Sequence, residues 1–179
     1  VRDAAIAAGA PENCIQWIEK PSMEGTSALM KHPGVATILA TGGNAMVEAA
    51  YSCGKPALGV GAGNVPAYVE KTANIQQSAH DIVMSKAFDN GMICAIEQAV
   101  IADKEIYKGL VEEFKSYGVY FANKKEKAML EDFIFGVTAN CANCGGAKLN
   151  SAVVGKPAAW IAEQAGFKVP EKTNIIIAE

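Results

Sequence analysis

VATILATGGNAMVEAAYSCGKPALGV, residues 35–60, spells out one strand–helix–strand repeat. Val35 to Ala40 is an apolar run of the kind needed by a strand buried on both faces. Thr41-Gly42-Gly43 turns the chain, and Asn44 can cap a helix running to about Cys53. Gly54 stands just past that helix, where a left-handed residue ends it cheaply. Pro56 to Val60 reads as a second strand. Two strands joined by a helical crossover lie parallel with a right-handed connection, so the expected class is α/β.

The flanks continue this rhythm. Arg2 to Ala8 is Ala-rich and stops at Gly9, and Cys14 to Ile18 alternates as a strand would. Ser22 can cap a helix through Met30 that Pro33 ends. Downstream, Ala67–Glu70 reads as a strand and Asn74 caps a helix carrying Ile75, Ala79, Ile82, Val83 and Lys86 at helical spacing. A strand over Gln98–Ala102 precedes an amphipathic helix with Ile106, Leu110, Phe114 and Tyr117 on one face and Gly118 at its end. Lys124 to Phe135 is a further helix and Asn140–Asn150 a loop. Ala152–Val154 reads as a short strand, Pro157–Ala165 as a helix and Asn174–Ala178 as a strand. A boundary between two lobes is expected near Asn64–Pro66.

Composition removes several function classes. The chain has 179 residues, half of them hydrophobic (50%), 20% charged, with a net charge of −3. That balance gives nucleic acid or anionic lipid no electrostatic reason to bind. No apolar run is long enough to span a bilayer, and the N-terminus does not read as a signal peptide. Five cysteines, an odd number without disulfide density, suit free thiols in a reducing cytoplasm. The Cys141-Ala142-Asn143-Cys144 motif has no second ligand pair nearby, since His32 and His80 stand alone. No metal is expected, and the two thiols are read as incidental to a loop.

Chemistry concentrates in FDNGMICA, residues 88–95. Cys94 follows a Gly-containing turn and precedes what can be a helix start, where first-turn N–H groups would favour a thiolate and an acyl oxyanion. A buried structural thiol is the competing reading. The turn Thr41-Gly42-Gly43-Asn44 leaves backbone N–H groups open to a phosphate at a helix N-terminus, although it lacks the GxGxxG spacing and also reads as a plain strand-to-helix turn. The Gly-rich run Gly59–Asn64 offers close backbone access or a bulged crossover. Trp17 and Trp160 read as core or interface fillers, and Tyr107, Phe114 and Tyr117 as a packing stripe. His80 is read as satisfied by a nearby carbonyl, and Lys124–Lys127 as a solvated face.

Several longer stretches are more specific. Gly9-Ala10-Pro11, Gln16-Trp17-Ile18-Glu19, Ile38–Gly43, Ala49–Pro66, Met84–Ile101 and Asn150–Pro170 together resemble the aldehyde dehydrogenase superfamily over essentially the whole chain. The resemblance is greatest to its CoA-acylating branch, found in bifunctional aldehyde–alcohol dehydrogenases. It implies a Rossmann-like parallel-sheet lobe over 1–64, part of an NAD-binding lobe, and part of an α/β catalytic lobe over 65–179. It implies that Cys94 is the nucleophile, that Thr41, Gly42 and Gly43 face the NAD pyrophosphate, and that Gly61 lies near the nicotinamide. Small aldehydes and coenzyme A are the implied partners, with homo-oligomers, or filaments in longer relatives, as the implied assembly.

Two departures from the wider superfamily matter. Hydrolytic members carry a general-base Glu near the position of Gly59, and without it water is poorly activated while a CoA thiol still attacks. Acyl transfer is therefore expected, with a hydrolytic enzyme using Glu97 or another carboxylate as base as the alternative. The resemblance also implies earlier and later segments that complete the site. The 179 residues alone are accordingly expected to be inactive, and a non-catalytic assembly module is the other alternative.

Overall fold

The computed structural model describes residues 1–61, 63–136 and 149–179, which fall into two compact units, Val1–Ala62 and Gly63–Glu179. The first contains α1 (Arg2–Ala7), α2 (Met23–Lys31), β1 (Ile38–Thr41), α3 (Asn44–Ser52) and β2 (Ala57–Val60). Strands β1 and β2 are parallel, with Ile38 opposite Ala57 and Thr41 opposite Val60. The Ser22 hydroxyl accepts the Gly25 N–H at 3.0 Å and so caps α2.

Four expectations for this unit need correction. Cys14–Ile18 is not a strand: the segment is exposed and folds on itself, with the Cys14 N–H on the Pro11 carbonyl and the Gln16 amide on that of Asn13. Without a partner strand its backbone groups find local acceptors. The first strand begins at Ile38 rather than Val35, because the Lys55 ammonium takes the Val35 carbonyl at 2.8 Å outside any ladder. It is not buried on both faces either. Ala40 is buried but Leu39 is 73% exposed, since α3 covers one face only and no described residue covers the other. Finally, Asn44 is the first residue of α3, and Gly43 occupies the cap position.

The second unit holds β3 (Val65–Val69), α4 (Ile75–Ala87), β4 (Glu97–Ala102), α5 (Tyr107–Ser116), β5 (Val119–Ala122), α6 (Lys124–Phe135), α7 (Ala158–Ala165) and β6 (Ile175–Ala178). Strands pair parallel as β3 with β4 and β5 with β6. Its core is Val69, Ala79, Val83, Ile106, Leu110, Phe114 and Val119, drawn from β3, α4, α5 and their flanks. That stripe from Ile106 to Phe114 is the one the helical spacing marks. Asn123 and Glu126 form a reciprocal capping box that starts α6. The β3–β4 ladder contains a bulge. Val65 stands opposite Glu97 and Pro66 opposite Ala99, while the intervening Gln98 side chain accepts the Val65 N–H at 2.8 Å.

Here too the sequence misled in places. Ala152–Val154 is not a strand, because Asn150 caps a single 3-10 turn over Ser151–Val153. β5 was not anticipated. Its four residues, Val119–Ala122, are too few to stand out beside the preceding helix pattern. Trp17 is no core filler, being 63% exposed beneath the Arg2 guanidinium. Trp160 does pack, against the Phe133 ring. His80 faces a carboxylate rather than a carbonyl, with Nδ1 at 3.1 Å from Asp81 and its ring edge-on to Tyr117. The Asp81 carboxyl is held below its ordinary value, first by the Gln77 amide and then by His80. Within the run Lys124–Lys127, Glu126 is not merely solvated, because it closes the cap and accepts the Tyr120 hydroxyl.

Three phenols donate to carboxylates: Tyr68 to Asp103 at 2.8 Å, Tyr120 to Glu126 at 2.9 Å, and Tyr107 to Glu179. Each bond exists only in the neutral phenol, so all three pKa values rise above the ordinary 10.0. The sign follows. Their stabilising contribution is present below the unfolded value and disappears as pH climbs through the raised folded values. In an alkaline titration followed by phenolate absorbance, three of the five tyrosines should ionise late. Denaturant should abolish the delay at Tyr68, Tyr107 and Tyr120.

Candidate active site

Cys94 is a free thiol and exposed. It lies in a turn that runs directly into β4, so the expected helix start after it is absent. A strand follows because Glu97–Ala102 finds β3 as a ladder partner, and the thiol therefore has no helix N-terminus behind it. What precedes it is unusual. Asp89 and Asn90 sit at φ 49° and 50°, and Gly91 follows at φ 79°, three left-handed residues in succession. Such backbone costs on the order of 1–3 kcal/mol per non-Gly residue and persists where its surroundings hold it. Among the described residues no hydrogen bond uses the Cys94 N–H, which leaves a donor beside the sulfur.

The loop has support from outside its own sequence. The Asn90 side-chain amide donates to the Gly155 carbonyl at 3.0 Å. Gly155 lies close under Met92 as well, since a Cβ there would come within 2.6 Å of the Met92 sulfur. Behind Asn90 and Gly91 is a cavity of about 450 Å³ whose walls include Lys86, Lys156, Leu130 and Ile161. Burial pushes the Lys86 ammonium below its ordinary pKa, and the Glu97 carboxylate partly offsets this. Glu97 begins β4, and among the described residues its buried Oε2 has no hydrogen-bond partner.

In the other unit the structure brings the remaining predicted residues together. Thr41 and Val60 are opposite one another at the carboxyl ends of β1 and β2, and the Gly42 N–H donates to the Val60 carbonyl at 3.2 Å. Gly42 takes φ 151°, which residues with a Cβ rarely adopt, and nothing lies within 4 Å of where a Gly43 side chain would begin. A Cβ on Gly61 would stand 2.8 Å from Asn44 Oδ1, so Gly61 closes against the start of α3. The result is an open backbone turn at the carboxyl edge of a parallel pair, where α/β sheets bind nucleotides. These residues fit a dinucleotide phosphate group.

Gly59 is tightly enclosed. A Cβ there would lie 2.5 Å from Val47 Cγ1 and 2.8 Å from Tyr51 Cε2. The Gly59 N–H also donates to the Tyr51 hydroxyl at 2.9 Å. A side chain at this position has no space.

Sequence reasoning gave Asn90 and Gly155 no role. The Asn90-Gly91 pair was the available signal, because that dipeptide favours left-handed turns. Cys141 and Cys144 lie outside the described residues. Among the described residues no cluster of three or more His, Cys, Asp or Glu could hold a metal ion, and no helix is long and apolar enough to cross a membrane.

Comparison with known proteins places this geometry in a family. Residues 1–132 match the model of the aldehyde dehydrogenase family. An aldehyde-alcohol dehydrogenase of Streptococcus pneumoniae is 80% identical over all 179 residues, which make up 20% of its length. The chain thus spans about a fifth of that curated relative. An acetylating aldehyde dehydrogenase from Geobacillus thermoglucosidasius superposes with a TM-score of 0.83 at 44% identity, covering 99% of this chain and 37% of that one. A Rhodopseudomonas palustris propionaldehyde dehydrogenase, solved with CoA and an acylated cysteine, superposes with a TM-score of 0.80 at 38% identity, covering 99% and 39%. The α/β strands, the glycine turns and the loop of Cys94 are therefore part of an aldehyde dehydrogenase fold, and the chain belongs to the aldehyde dehydrogenase family.

Proposed function

We propose that this chain supplies part of the site of an NAD-dependent, CoA-acylating aldehyde dehydrogenase. The reaction is acetaldehyde, CoA and NAD⁺ to acetyl-CoA, NADH and a proton, in either direction. The observation that carries it is Cys94, an exposed free thiol in a left-handed loop with an unused N–H beside it. The enclosed Gly59 supports acyl transfer over hydrolysis, since a base for water has no room there.

Thr41, Gly42, Gly43 and Gly61 would line the dinucleotide phosphates at the N-terminus of α3, with the Gly42 N–H committed to Val60 and shaping the turn. When bound, the nicotinamide supplies the hydride acceptor. Cys94 Sγ adds to the aldehyde carbon, and the Cys94 N–H stabilises the oxyanion that forms. Loss of hydride from that carbon leaves a thioester on Cys94. The CoA thiolate attacks the acyl carbon, the bond to Cys94 Sγ breaks, and Cys94 departs as a thiolate. The free thiols Cys14, Cys53 and Cys94 suit a reducing compartment, and we assign the enzyme to the cytoplasm as a homo-oligomer.

The test is product analysis on the intact protein that carries this chain. NADH formation from acetaldehyde should require CoA and yield acetyl-CoA. Equal rates without CoA, with acetate as product, would establish hydrolysis instead.

A further inference from the structure

We propose that Asn90 is a positioning residue for the Cys94 sulfur, acting through the Gly155 carbonyl. This rests on reading Cys94 as the nucleophile. Residues 89–91 occupy left-handed backbone, a conformation that needs an external hold to persist at two residues with side chains. The Asn90 amide provides that hold, donating at 3.0 Å across 65 positions of sequence. Among the described residues no other hydrogen bond joins 89–94 to a part of the chain distant in sequence.

The rest of the seat is steric. Gly155, at φ 71°, brings bare backbone beneath Met92, two residues before the nucleophile. The cavity of about 450 Å³ behind Asn90 and Gly91 leaves that flank of the loop without dense packing. A loop held by one directional bond and one close approach can lose its aim without unfolding. An error of an ångström in the sulfur position is felt mainly in the transition state, where addition and hydride loss need aligned orbitals.

The variants separate these contributions in the intact protein. Asn90→Gly keeps access to the left-handed region but removes the donor. Asn90→Asp keeps size and turn preference but sets a carboxylate against the Gly155 carbonyl. Both should lower kcat for CoA-dependent aldehyde oxidation about tenfold to a hundredfold, with KM values shifted no more than about twofold. Iodoacetamide should still alkylate Cys94 in both. A wild-type kcat in both variants overturns the proposal. So does a loss of activity that follows only the folded fraction, with kcat per folded molecule unchanged. The reading of Cys94 is checked separately by Cys94→Ser. Full turnover there sinks the nucleophile, whereas an inert Cys94→Ser beside a fully active Asn90→Gly removes only the role of Asn90.

Discussion

Cys94→Ser in the intact protein is expected to reduce CoA-dependent aldehyde oxidation by about 10⁴-fold or more, the scale of loss when a covalent nucleophile is removed. Serine keeps the shape of the side chain and its exposure, so melting temperature should not move. The hydroxyl fails for chemical reasons. A thiol is partly ionised near neutral pH and intrinsically nucleophilic, and a thiolate is a good leaving group for the transfer to CoA. The serine would have no general base at hand: among the described residues no hydrogen bond is made by the Cys94 side chain. Stopped-flow and steady-state NADH production on purified protein provide the measurement. A loss under tenfold would mean that another group carries the acyl chain.

The second large effect concerns stability. Gly59→Glu would reproduce the residue that hydrolytic relatives are expected to carry, and it should fail as a hydrolase. Its Cβ would overlap Val47 at 2.5 Å and Tyr51 at 2.8 Å, and α3 would have to move away from β2. Overpacking costs about 1–3 kcal/mol. A carboxylate pressed against the helix without a partner adds about 1–3 kcal/mol. The combined loss should lower the melting temperature by on the order of 10 °C in a unit of this size. Calorimetry checks it, and a variant as stable as wild type that releases acetate would contradict the packing described for Gly59.

How much of this was legible in the sequence depends on whether a feature is local. The Ser22 and Asn74 caps and the Ile106–Phe114 stripe are local, and each stands where spacing put it. Cys14–Ile18 alternates in sequence yet forms no strand, because a strand requires a partner and the alternation does not supply one. The same dependence on partners explains the turn at Cys94. The strand expected over Gln98–Ala102 is present, and its ladder with β3 begins one residue earlier, at Glu97, which leaves no place for the helix start expected after Cys94. At the site, the glycine turns and the cysteine could be picked out by residue type. The Asn90–Gly155 bond could not, since its ends lie 65 residues apart and neither is chemically reactive.

Acyl capture is the most direct measurement. The intact protein is incubated with acetyl-CoA in the absence of reduced nicotinamide cofactor, digested, and analysed by mass spectrometry. The peptide containing Cys94 should gain one acetyl group that hydroxylamine removes, and the gain should be missing from Cys94→Ser. An acetyl group on a different residue, or none on any, would contradict a thioester at Cys94.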